Sequence, residues 1–193
     1  MCLKLYLILE TELTNSIDCL NKGGLILMPT DTIWGISCDA TNSNAIMKIY
    51  SLKKRNLDKP FITLVSNLFL LENIVGKISD KIIKLIENEK KPTTLIYKSG
   101  KNISNKLFSS NGSVAIRLVK DIFCKKLIEK FGKPIVSTSA NINDEITPEN
   151  FSQIDKKITN GVDYIVNLKK KSNLKNPSRI ISIIDNRVFQ IRG

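Results

Sequence analysis

Short apolar runs of strand length alternate along this chain with segments of helical period, and glycine, proline or asparagine separates nearly every neighbouring pair. That alternation points to the α/β class, because each amphipathic helix has to bury one stripe against a sheet. The first apolar stretch, residues 1–9, reads as a strand: Lys4 interrupts it, Glu10 and Glu12 follow it, and no small-residue cleavage site marks it as a signal peptide. Leu13, Ile17 and Leu20 then fall at helical spacing, with Gly23-Gly24 as a left-handed stop. Residues 25–28 form a strand and residues 29–35 break the pattern. Asn42 or Ser43 caps a second helix that carries Ala45, Ile46, Ile49 and Tyr50 on one face and Lys53, Lys54 and Arg55 at its end.

Further strands are expected at 61–65, 93–97, 113–119, 134–136 and 164–168, and helices over 67–75, 79–90, 121–131 and 149–158. Residues 137–148 read as a polar loop. Near the end, 179–184 and 187–191 flank Asp185-Asn186, a two-residue connection suited to a hairpin. That hairpin, and the neighbouring strands around Thr93 and Ser113, call for a mixed sheet and disfavour a purely parallel Rossmann arrangement. With 193 residues, 42% of them hydrophobic, the chain can bury one sizeable core, so a single domain over residues 1–193 is expected. No segment approaches the roughly 18 uninterrupted apolar residues of a membrane span, and a cytoplasmic protein is expected.

The absence of histidine narrows the chemistry most. It removes Ser-His and Cys-His nucleophile pairs, His-ligated metals and the commonest general base together. Cys2, Cys19, Cys38 and Cys124 are far apart and form no C-x-x-C pair, so neither a zinc knuckle nor a dithiol motif is present. Both common glycine-rich phosphate loops are missing, and a nucleotide would have to be held by another device. The 30 Lys+Arg against 18 Asp+Glu leave a formal charge of +12, which either steers polyanions to the protein or reflects its general richness in Lys, Asn and Ile.

Five segments concentrate polar groups. Met28-Pro29-Thr30-Asp31-Thr32-Ile33-Trp34-Gly35 places two hydroxyls and a carboxylate directly after a buried strand, as a turn or as one wall of a cleft. Lys53 and Arg55 sit at a helix C-terminus, either solvated there or serving phosphate. Ser137-Thr138-Ser139-Ala140-Asn141 offers hydroxyls, an amide and open backbone N–H groups, as a capping segment or an anion site. Arg117 interrupts the apolar run 114–119, where a guanidinium needs either a structural Asp or Glu or a ligand carboxylate. Asn176-Pro177-Ser178-Arg179 and Arg192-Gly193 bracket the terminal hairpin.

In this order, across residues 13–193, the segments resemble the YrdC/TsaC family of threonylcarbamoyl-AMP synthases. The resemblance rests on P-T-D-T-x-W-G at 29–35, K-x-R at Lys53 and Arg55, K-P-x-x-x-L-V at 59–65, V-A-I-R at 114–117, S-T-S-A-N at 137–141 and N-P-S at 176–178. It implies a YrdC/RibB-like twisted mixed sheet with flanking helices around a basic concave cleft. It also implies that ATP, with its Mg2+, is held by Lys53, Arg55, Ser113, Ser139, Asn141 and Arg192, with Lys53 and Arg55 catalytic. L-threonine is then held by Thr32, Arg117, Ser137 and Ser178, with Arg117 meeting its carboxylate. The implied reaction joins L-threonine, bicarbonate or CO2, and ATP into threonylcarbamoyl-AMP and pyrophosphate, for a TsaD-type transferase that modifies tRNA.

Trp34 stands where the family has tyrosine or phenylalanine, Asn143-Asp144 replace Ser-Gly, and Lys91-Pro92 lacks the glycine before its proline. The additional C-terminal domain of longer relatives is not expected here. Two other readings fit the same features: a double-stranded RNA or tRNA binding module without catalysis, and a paralogue with a different carbamoyl acceptor.

Overall fold

The computed structural model describes residues 2–143, 145–174, 176–184 and 187–192. Its helices are α1 (Cys2–Asn21), α2 (Ser43–Lys53), α3 (Leu68–Val75), α4 (Asp80–Asn88), α5 (Ile122–Phe131) and the short α6 (Lys156–Asn160). The strands are β1 (Ile26–Pro29), β2 (Trp34–Asp39), β3 (Ile62–Val65), β4 (Thr93–Tyr97), β5 (Val114–Leu118), β6 (Ile135–Ser139), β7 (Tyr164–Ile165), β8 (Arg179–Ile184) and β9 (Arg187–Arg192). They form one sheet in the order β7-β1-β2-β6-β3-β5-β4-β8-β9. Parallel pairs β1/β7, β3/β5 and β4/β8 are interspersed with antiparallel ones, which is the expected mixed sheet.

Strand alternation assigns the two faces. Leu64 of β3 and Ile135 of β6 join Leu13 and Leu20 of α1 and Phe123, Leu127 and Ile128 of α5 in one core. Their strand neighbours point the other way: Val136 packs with Ala45, Ile46, Ile49 and Tyr50 of α2, and Val65 with Leu71 and Ile74 of α3 and Ile82 and Ile86 of α4. Buried aliphatic area on both faces supplies the main stabilisation, at about 25 cal/mol per Å².

Most helix boundaries follow local signals. Asn42 accepts from the N–H groups of Asn44 and Ala45, Asn67 from Leu70 and Asp121 from Cys124, each capping the helix that follows. Gly23, at φ 69°, stops α1 where expected.

Four expectations need correction. Residues 2–9 are the first turns of α1, not a strand: no Gly or Pro separates them from Glu10, so the helix that carries Leu13 is continuous with them, and Lys130 pins Glu10 to α5 at 2.5 Å. β2, whose first two residues fall in the expected pattern break and whose other four had no element assigned, is buried along its whole length, so it lacks the polar alternation that marks a half-exposed strand. β6 runs through Ser137 and Ser139, because its partner β2 continues to Gly35 opposite Ser139. The helix expected over 149–158 is a 3-10 turn, Phe151–Gln153, and then α6, whose N-cap Asp155 breaks it. The connection Asp185-Asn186 lies outside the described residues, but β8 and β9 pair antiparallel as expected. Among the described residues no helix is long and apolar enough to cross a membrane.

Candidate active site

Beyond α5, the same sheet face carries polar side chains. Register puts Arg117 of β5 directly opposite Thr94 of β4 on one side and Leu64 of β3 on the other. Ser137 of β6 lies opposite Ile62 of β3, and Ser139 falls two residues further on the same face. The β1–β2 turn and residues 176–178 close over these strands. Together Thr32, Ile33, Ile62, Arg117, Ser137, Thr138, Ser139, Pro177 and Ser178 line a cavity of about 50 Å³, room for a few waters or one small polar molecule. All four residues implied to bind threonine are here, with Ser139.

Each is held by the fold. Thr30 Oγ1 donates to the Ile33 carbonyl at 2.8 Å and lies 2.9 Å from Thr32 Oγ1, so the turn aims the Thr32 hydroxyl. Arg117 is paired with Asp31, 3.2 Å away, with side-chain exposures of 4% and 7%. The structural partner weighed for this guanidinium is therefore the aspartate of its own neighbouring motif, which also accepts from the Lys120 N–H at 3.3 Å. A fork of five N–H donors leaves that pairing compatible with a ligand carboxylate on another edge.

The sequence reading missed Thr94, fully buried, whose hydroxyl lies 2.8 Å from Ser178 Oγ. A threonine in a strand is ordinary β-branched filling, and only the register shows that this one ties the Ser178 segment to the strand beside Arg117. Thr94→Val keeps the shape and deletes that hydrogen bond, about 1 kcal/mol. We expect a roughly fivefold rise in KM for threonine at unchanged KM for ATP, reversed in Thr94→Ser. Steady-state kinetics that leave the threonine KM of Thr94→Val at the wild-type value would remove Thr94 from the site.

The proposed phosphate-binding residues surround the loop that leaves β6. Lys53 is not a solvated helix end: it is 1% exposed, and its ammonium donates to the Ser139 carbonyl at 2.5 Å, to the Asn141 carbonyl, and to Asn141 Oδ1 at 3.2 Å. Burial, helped by the nearby positive charge of Arg55 and opposed by Glu145, lowers its pKa to about 7. Arg55 is half-buried, its guanidinium 5.1 Å from the centre of the Phe61 ring and its Nε–H donating to the Lys59 carbonyl at 2.9 Å. Asn141 faces a separate, wider cleft of about 510 Å³ with Glu145, Ile146 and Asp155. Ser113, at the foot of β5, has its hydroxyl 2.6 Å from Ser109 Oγ and does not line the small cavity. Arg192 ends β9 opposite Ile180, and its side chain lies outside what is described.

The order of these segments and the sheet they share find a direct counterpart: the Sua5/YciO/YrdC family model, described as telomere recombination, matches residues 18–193. This chain belongs to the Sua5/YciO/YrdC family. Among its relatives, the threonylcarbamoyl-AMP synthase of Pseudoalteromonas translucida is 28% identical, covering 94% of this chain and 98% of its own length. A putative threonylcarbamoyl-AMP synthase of Methanocaldococcus jannaschii is 30% identical over 98% of this chain and 91% of its own. The fold matches that of P. abyssi Sua5 complexed with L-threonine, with a TM-score of 0.81 and 22% identity over 93% of this chain; this chain spans 53% of that protein.

Trp34, the aromatic at which this family member departs from the usual pattern, is fully buried. It packs on Phe151 with ring centroids 5.1 Å apart, on the sheet face opposite the cavity. The larger ring is therefore accommodated in the core beneath the turn.

Proposed function

We propose that this protein is a threonylcarbamoyl-AMP synthase that joins L-threonine, bicarbonate-derived CO2 and ATP, releasing pyrophosphate. The observation that carries the reading is the convergence of Thr32, Arg117, Ser137 and Ser178, from four separate parts of the chain, on one small cavity, walled also by Ile33, Ile62 and Pro177, beside the Ser139–Asn141 loop. A relative named threonylcarbamoyl-AMP synthase, matched over 98% of its length, and a second named a putative one, matched over 91%, support it, as does a fold shared with a protein complexed with L-threonine.

In this reading the cavity takes threonine, with Arg117 at its carboxylate and the hydroxyls of Thr32, Ser137 and Ser178 around its polar groups. The ammonium group gives one proton to water and the free amine attacks CO2; a C=O π pair moves onto oxygen and a second N–H proton leaves to water, giving a carbamate. A carbamate oxygen then forms a bond to the α-phosphorus of ATP, and the bond to pyrophosphate breaks. No protein nucleophile takes part, which suits a chain without histidine. The protein's work is to hold two mutually repelling anions in line and to offset charge on the leaving phosphates, a nucleotidyl transfer driven by positioning and electrostatics.

ATP lies across the loop from the threonine chamber, its phosphates served by Arg55, Ser113, Ser139 and Asn141, with Arg192 nearby. The cleft beside Asn141 is of a size for a nucleoside. In this reading Mg2+ arrives with ATP. Its oxygen ligands would then come largely from phosphates and water. The unstable adenylate passes to a TsaD-type transferase acting on tRNA, and the charge of +12 favours approach to that polyanion.

Pyrophosphate release, measured with threonine, bicarbonate, ATP and Mg2+ omitted one at a time, tests the proposal. We expect release to require every component. Release without threonine or without bicarbonate, or none in the full mixture, rules the function out.

A further inference from the structure

We infer that Lys53 is a positioning residue: its ammonium clasps the backbone of loop 139–141 from beneath, setting the peptide groups that receive ATP without itself contacting phosphate. This deepens the synthase reading above and rests on it for the identity of the ligand.

A lysine in the last turn of a helix ordinarily extends its stem and keeps its charge in water. Lys54 does so, exposed at the left-handed end of α2, and Arg55 is half-exposed over Phe61. Lys53 is instead folded inward. It has three N–H donors, and the two carbonyls and one amide oxygen of Ser139 and Asn141 are three acceptors. Its own carbonyl accepts from the Asn143 N–H at 2.8 Å, so both ends of the residue grip the same loop. The loop is further tied by the Ala140 N–H to the Trp34 carbonyl at 3.0 Å and by Asn141 Nδ2 to the Glu145 carbonyl at 2.6 Å.

For Lys53 to reach a phosphate its own buried ammonium would have to abandon three part-buried acceptors that surround it, and a buried charge stripped of its hydrogen bonds is strongly disfavoured. The clasp also orients the loop. In a planar trans peptide the C=O and the following N–H point in opposite directions, so pulling the Asn141 carbonyl onto Nζ turns the Ile142 N–H away from it. An N–H turned outward in this manner is a donor for an anion, while the Ala140 and Asn143 N–H groups on either side are engaged by the Trp34 and Lys53 carbonyls. Ser139, whose carbonyl is held at the same point, lines the threonine chamber. One clasp therefore sets both halves of the site.

Two measurements on nucleotide-free protein test this. Amide hydrogen exchange across 139–143 is expected to quicken at least tenfold in Lys53→Met and to stay at the wild-type rate in Arg55→Met. In wild-type protein, acetic anhydride labelling read by mass spectrometry is expected to modify Lys53 at least tenfold more slowly than Lys54, with or without ATP. Unchanged exchange in a folded Lys53→Met, or labelling of Lys53 as fast as Lys54 with protection only on adding ATP, overturns the clasp. The labelling arm needs no variant, so it decides the matter if Lys53→Met does not fold. Neither readout depends on turnover, so a failed pyrophosphate assay would strike the synthase reading and leave the clasp standing. In active enzyme, Lys53→Met is expected to raise KM for both ATP and threonine, whereas a simple phosphate ligand would raise that for ATP alone.

Discussion

Arg117→Ala is expected to weaken threonine binding by about 1.5 to 3 kcal/mol, roughly 10- to 150-fold in Kd, and to destabilise the protein as well. The first effect follows from removing a charge-assisted partner of the amino acid's carboxylate. The second follows from Asp31, left buried after its guanidinium, 3.2 Å away, is gone. Breaking one side of a buried pair costs about 3 to 5 kcal/mol, and the Lys120 N–H that Asp31 keeps, at 3.3 Å, offsets only part of this. The two effects separate in Arg117→Met/Asp31→Asn, which removes both charges: stability by urea denaturation should return most of the way, while threonine affinity by calorimetry should not. Recovery of threonine binding in the double variant would mean that Arg117 serves the fold and not the ligand.

Gly35→Ala should be the most damaging single methyl group at the site. A Cβ built there lies 2.6 Å from Ser137 Oγ, 3.3 Å from the Thr138 carbonyl oxygen and 3.7 Å from Thr30 Cγ2. The first contact is impossible without movement, and the second is with backbone, so turning the Ser137 hydroxyl aside relieves only part of the strain. Overpacking of this kind costs about 1 to 3 kcal/mol. Because β2 and β6 pair here, with Gly35 opposite Ser139, β6 and the Ser137 and Ser139 hydroxyls that it carries are pushed away from β2. Urea denaturation should register the loss of stability, and threonine KM should rise along with it. Adding Ser137→Ala should regain stability without regaining affinity. A Gly35→Ala protein as stable as wild type, with its threonine KM intact, would show that the two strands have room to spare.

These two positions show how differently a residue can be read from sequence. Arg117 is visible as an expensive charge in an apolar strand, and its need for a carboxylate partner follows at once. Which carboxylate was not legible: Asp31 is 86 positions away, in the turn between β1 and β2, and only the strand order β1-β2-β6-β3-β5 brings the two motifs together. Gly35 is visible as a motif glycine, but the reason for it is a hydroxyl 102 residues further on. Thr94 carried no signal at all. Lys53 was legible as one of three basic residues at a helix end, yet its burial depends on a strand, β6, that continues three residues further than the sequence reading placed it.

What the sequence by itself determined was local: the helices with a cap and a clear apolar stripe, the short aliphatic strands, the mixed sheet implied by two antiparallel neighbours, and a chemistry that excludes histidine. Those follow from dihedral preference, side-chain period and residue inventory, which act over a few positions. The tertiary structure alone decided that residues 2–9 continue a helix, that β2 is a central strand, and that hydroxyls from four distant segments meet around Arg117. Register and long-range packing settle such matters, because the free energy of burying a strand or pairing a charge depends on partners that no local window contains.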